Sequence, residues 1–155
     1  MIREQVINQI KNYFKIQEFV DQEVYSLYGQ RSWRYFDTYL LNSILTIRKE
    51  LEKPITINNW LWGGNFSQRG LRHNKSEIVM KKTRPYLSAH LMGKAIDFDV
   101  KGMKAQEVRN WIVQNPHKFN CKIRLENKIN NKPINWVHLD IVEEKQNPKI
   151  YLFNI

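Results

Sequence analysis

The sequence predicts an α+β domain, a mainly antiparallel sheet with flanking helices. Apolar residues at helical spacing dominate the first third of the chain. Segments that alternate with a period of two take over after Ile55. Two of these lie close together around a short polar connection, as in a hairpin. With 155 residues, a hydrophobic fraction of 42% and five tryptophans, the chain suits a single domain spanning 1–155 around one core.

Taken in order, "MIREQVINQIKNYF" has the apolar spacing of a helix. "FDTYLLNSILTIRKELEKP" gives the clearest helix, with Asp37 as its cap, Leu40, Leu41, Ile44, Ile47 and Leu51 as its core stripe, and Pro54 beyond its end. Ile55 to Trp60 alternates like a strand, and "WGGNFSQRGLRHN" reads as a loop. In "HLMGKAIDFDV" the second half is a strand with Ala95, Asp97 and Asp99 on one face and Ile96, Phe98 and Val100 on the other. "KAQEVRNWIVQN" is a helix whose buried face carries Ala105, Val108, Trp111 and Ile112, with Pro116 just after it. "CKIRLE", a polar loop "NKINNKP" and "INWVHLDIV" make two strands and their connection, and "KIYLFNI" a short final strand.

The formal net charge is +10 and the pI near 9.7, so the protein is drawn to polyanions. Nucleic acid, anionic lipid headgroups and acidic cell-wall polymers all qualify. The basic residues form no block, and neither a zinc-finger spacing nor an RNP-like run is present, so nucleic acid is the weakest of these. No apolar run reaches the ~20 residues of a membrane span. The start "MIREQVINQI" lacks the apolar centre of a signal peptide, which predicts a product cytoplasmic as synthesised. The one cysteine, Cys121, excludes an intrachain disulfide and a multi-cysteine zinc site.

Two histidines and an aspartate stand out as candidate ligands. His90 and Asp97 bracket "HLMGKAID", and His138 sits in "WVHLD". Two imidazoles and a carboxylate suit Zn²⁺, and three protein ligands leave a fourth position open. Gly93 lets the backbone turn between the first two. Spacing alone leaves the plainer alternative of two ordinary core histidines.

These motifs resemble the zinc D-Ala-D-Ala carboxypeptidase family of metallopeptidases, which has the Hedgehog/DD-peptidase fold. Ser88, His90, Gly93, Ala95 and Asp97 match its S-x-H-x-x-G-x-A-x-D pattern, and Trp136, His138 and Asp140 its downstream W-x-H-x-D. Gly70 and Arg72 match a G-x-R that precedes the first ligand. The likeness spans about Ile55 to Asp140, which divides the chain into a helical lead-in (1–54) and a metal-site core (55–140), and its lead-in is similar to that of the phage and bacterial subgroup. The resemblance implies that His90, Asp97 and His138 hold zinc. It implies that Arg72 binds the substrate carbonyl or carboxylate, with Arg69 and Ser88 as further substrate contacts.

One departure is plain. Many members carry an acid three residues before the last histidine, where this chain has Asn135. Asp140 shares a strand face with His138 and is expected to orient that ligand; Asp99 is expected to lie outside the ligand set. Glu126 is the acid expected to act as general base. A hairpin pairing would bring it opposite Trp136 and so onto the face of His138. The function implied is zinc-dependent hydrolysis of a peptide bond in peptidoglycan stem peptides, by a D,D-carboxypeptidase or an endolysin-type endopeptidase of phage or bacterial origin. The alternative is an inactive zinc-containing protein that binds the cell wall or serves in a virion.

Overall fold

The computed structural model describes residues 2–142 and 144–155, and its first part is helical. Helices α1 (Arg3–Ile10), α2 (Gln22–Tyr28) and α3 (Thr38–Leu51) are separated by 3-10 turns at Ile16–Glu18 and Gly29–Tyr35. Asp37 caps α3 by accepting the Tyr39 N–H at 2.8 Å, and Leu40, Leu41, Ile44 and Ile47 are buried along one face of the helix. α1 stops at Ile10, short of the predicted Phe14. α2 has only Val24 buried, so it offers no apolar stripe for periodicity to reveal.

The remaining elements are β1 (Ile55–Thr56), α4 (Glu77–Met80), β2 (Ala95–Val100), α5 (Ala105–Gln114), β3 (Ile123–Ile129), β4 (Lys132–Asp140) and β5 (Ile150–Asn154). They build one five-stranded sheet in the order β1-β2-β4-β3-β5. The sheet is mixed, not mainly antiparallel. β1–β2, β2–β4 and β3–β4 pair antiparallel, but β5 lies parallel to β3. The chain leaves β4 and passes β3 before re-entering the sheet on its far side, so β5 runs antiparallel to β4 and alongside β3.

Three local expectations change. The strand expected over Ile55 to Trp60 keeps only its first two residues, and Trp60–Trp62 form a 3-10 turn. The "NKINNKP" segment is not a loop. β3 and β4 run on to a two-residue turn at Asn130 and Asn131, with φ of 50° and 63°. Two positive φ values in succession define the hairpin turn that follows strand twist, and asparagine tolerates them well. A register shift between Glu126 and Lys128 then places Glu126 directly opposite His138, not Trp136.

Register sorts the sheet into two faces. Ile96, Leu139 and Leu125 are neighbours across β2, β4 and β3, and all are fully buried in the core with α5 residues Val108 and Ile112. The next row, on the opposite face, is Asp97, His138 and Glu126. Where β4 extends past its last β2 partner, the buried Arg109 of α5 donates to the carbonyls of Trp136 (2.9 Å) and Ile134 (3.1 Å). This guanidinium satisfies backbone acceptors that the β2 ladder leaves open.

Candidate metal centre

Asp97 and His138 come from paired strands, and His90 from the turn just before β2. That turn is held from both sides. Ser88 Oγ accepts the His90 N–H at 3.3 Å, and Gly93, at φ +64°, packs so closely on the Tyr35 carbonyl that a Cβ would lie 1.8 Å from it. Gly70 is equally constrained, since a Cβ there would lie 1.9 Å from the Phe19 carbonyl oxygen. Both motif glycines are thus fixed by close backbone approach to the helical layer.

Gly70 also sets the orientation of His90. Its carbonyl accepts the Nδ1–H of the ring at 2.8 Å, which leaves Nε2 with a free lone pair 3.4 Å from Asp97 Oδ2. His138 is turned the other way. Its Nε2 lies 3.1 Å from Asp140 Oδ2 and its Nδ1 2.7 Å from Asp97 Oδ1. Donation of Nε2–H to Asp140 frees Nδ1 for a metal, the usual arrangement of a carboxylate behind a ligating histidine. Asp140 is itself held by Arg124, with contacts of 2.8 and 3.1 Å, and by the Val142 N–H.

One ligand atom from each of His90, Asp97 and His138 lies within 4.8 Å of the others, so the three could hold a metal ion. The donor set, two imidazoles with outward nitrogens tied down and one carboxylate, fits a divalent cation of the zinc type. A further observation supports the fit. Glu126 is buried beside this group, and its Oε1 has no hydrogen-bond partner among the described residues. Unpaired buried carboxylate oxygens are rare and mark a place where something else belongs.

The three side chains and Glu126 shift one another's titration. Burial pushes the pKa of His90 down and keeps the ring neutral. Burial also opposes the charge on Asp97, but the adjoining His138 and His90 rings outweigh it and hold the carboxyl well below the usual range. For His138 burial is again overcome, here by Asp140 and Asp97, and its pKa is pushed up to about 9. Glu126 moves upward, chiefly through burial and with the neighbouring carboxylates adding to it.

A cleft of about 670 Å³ opens beside the triad, lined by Asp97, Arg72, Arg69, Phe66, Asn135 and Trp136 among others. Arg72 donates through Nε to the Gln68 carbonyl at 2.9 Å and through Nη1 to Tyr86 Oη at 3.2 Å, and its Nη2 lies 3.3 Å from Asp97 Oδ2. Arg69 pairs with Asp99 and stacks on Phe66, its guanidinium carbon 3.6 Å from the ring centre. Asp99 thus faces an arginine and lies outside the triad. Ser88 is not among the cleft-lining residues; its hydroxyl serves the turn that carries His90. Tyr86 and Phe66 escaped the sequence reading because each is a lone aromatic in a segment without periodicity, and only the folded loops bring them to the two arginines. Comparison with models of protein families, with curated proteins and with solved structures finds no match for this chain.

Proposed function

We propose that the chain is a zinc-dependent peptidase that hydrolyses a peptide bond in the stem peptides of bacterial peptidoglycan. The observation that carries the hydrolytic part is the row Asp97–His138–Glu126. It sets two candidate ligands beside a buried carboxylate that has an unpaired oxygen and an upward-shifted pKa. The choice of peptidoglycan follows the motif resemblance and the net positive charge.

Zinc held by His90 Nε2, His138 Nδ1 and Asp97 would supply Lewis acidity, polarising the scissile carbonyl and acidifying the attacking water. Glu126 accepts a proton from that water as its oxygen bonds to the carbonyl carbon. It then delivers the proton to the amine nitrogen as the C–N bond breaks. A raised pKa suits both halves of this transfer. Arg72 presents its guanidinium to the developing oxyanion, oriented by the Gln68 carbonyl and Tyr86. Asp140 keeps the His138 proton on Nε2.

The test is incubation of the protein with purified sacculi. Chelator-sensitive release of new amino groups, restored by zinc, is the expected result. Sedimentation with the wall and no bond cleavage would reject the enzyme and leave the non-catalytic wall-binding or virion protein.

A further inference from the structure

A second concavity, of about 440 Å³, lies where the end of α1, the start of β1 and the 3-10 turn after it meet. It shares no lining residue with the cleft beside the triad. Its walls carry two rings left about half exposed, Tyr13 at 42% and Trp62 at 59%. Rings of this size are ordinarily among the main contributors to a core, and a pair of them exposed on one groove points to a ligand.

Each ring has a cation against it. The Arg48 guanidinium carbon is 5.0 Å from the centre of Tyr13, and Lys15 Nζ is 5.9 Å from that of Trp62. Lys11 adds a third positive charge. The acid in the lining, Glu18, is buried and accepts the backbone N–H of Lys15 at 2.8 Å. The exposed side of the groove is therefore aromatic and cationic.

We propose that this groove binds an anionic phosphate polymer that bears sugar groups. An aromatic face accepts the C–H face of a sugar ring, and lysine and arginine N–H groups donate to phosphate oxygens. Nucleic acid offers the same phosphates, but a single strand is held along an extended cationic groove that tracks several nucleotides. Here Lys11, Lys15 and Arg48 sit on one compact concavity of about 440 Å³, which favours a sugar–phosphate unit over a strand. One loop links the groove to the cleft. Asn59 closes it by donating its N–H to the Phe66 carbonyl at 2.9 Å and accepting the Phe66 N–H on Oδ1 at 2.8 Å. Trp62 lies in the groove and Phe66 in the cleft. The inference goes beyond the peptidase reading, since it concerns a separate surface and a separate ligand. A polymer held there would keep the cleft close to a wall that carries it.

The full chain is titrated calorimetrically with glucosylated poly(glycerol phosphate), neutral dextran and single-stranded DNA of matched charge. The wild type should bind the first and not dextran. Trp62→Ala and the double variant Lys15→Gln/Arg48→Gln should each weaken that binding about tenfold or more. The control Lys132→Gln/Lys145→Gln, outside the groove, should change it little. His138→Ala should bind the polymer as the wild type does, which separates this result from any failure of the metal site. Equal losses in the control and groove variants, or no loss in either groove variant, would overturn the proposal. DNA binding as tight as polymer binding, and equally sensitive to Trp62→Ala, would replace it with a nucleic-acid site.

Discussion

The two faces of the sheet use the same three strands for opposite purposes. On one face Ile96, Leu139 and Leu125 are completely buried and pack into the core. On the other, one residue along each strand, stand Asp97, His138 and Glu126. Strand alternation thus places core packing and the candidate metal site side by side without mixing them. Substitutions on the polar face should therefore alter metal binding and turnover while the fold persists, and those on the apolar face should do the reverse.

The largest expected effect is at Glu126. With Glu126 as the proton carrier proposed above, Glu126→Gln, at nearly constant shape, should lower cleavage by about 10²–10⁴-fold. Stability should hold or rise, because the unpaired buried carboxylate is a cost to the fold. Wild-type turnover in Glu126→Gln would break the division between the faces at its most informative point. Leu139→Ala sits one residue from His138 but on the core side. It should cost about 2–5 kcal/mol in denaturant unfolding. A loss of zinc with no loss of stability in that variant would show that the faces are not separable.

Arg72→Lys keeps the charge and gives up the planar fork that Gln68 and Tyr86 hold. Turnover should drop by roughly 10²-fold with zinc content intact. Unchanged kcat/KM would move the role to Arg69 or remove it. A smaller effect sharpens the comparison through pH. In the metal-free protein the His138 imidazolium is stabilised between two carboxylates, with its pKa at about 9. Relative to an unfolded value of ~6.5, that contribution is complete below pH ~6.5 and is lost as pH rises through about 9. The melting temperature of chelator-treated protein should fall by several degrees over that interval. Zinc-loaded protein should not show this fall, since the ion replaces the proton. A flat profile without metal would mean that His138 is not held as the imidazolium.

Much of this was legible in the chain because period and capping report directly on burial. Asp37 with the Leu40–Ile47 stripe marked α3, and the alternation in "AIDFDV" put Asp97 on the face opposite Ile96. The proximity of His90, Asp97 and His138 was an expectation drawn from three short motifs. What the sequence hid was set by long-range geometry. The parallel placement of β5 depends on which edge of the sheet stays open after the hairpin forms. The register of Glu126 depends on an irregularity beside Asn127, and composition does not announce a bulge. Tyr86 meets Arg72 only because two loops converge. The Gly70 carbonyl that fixes His90 belongs to the backbone, where side-chain patterns carry no record of it.

Metal stoichiometry tests most directly whether His90, Asp97 and His138 together hold one zinc ion, as proposed. Protein stripped with chelator, reloaded with zinc and freed of excess should retain one equivalent by elemental analysis. His138→Ala treated in the same way should retain far less while keeping its fold by circular dichroism, because Leu139 and its core neighbours do not depend on the imidazole. A full equivalent of zinc in folded His138→Ala, or none in the wild type, would contradict the account.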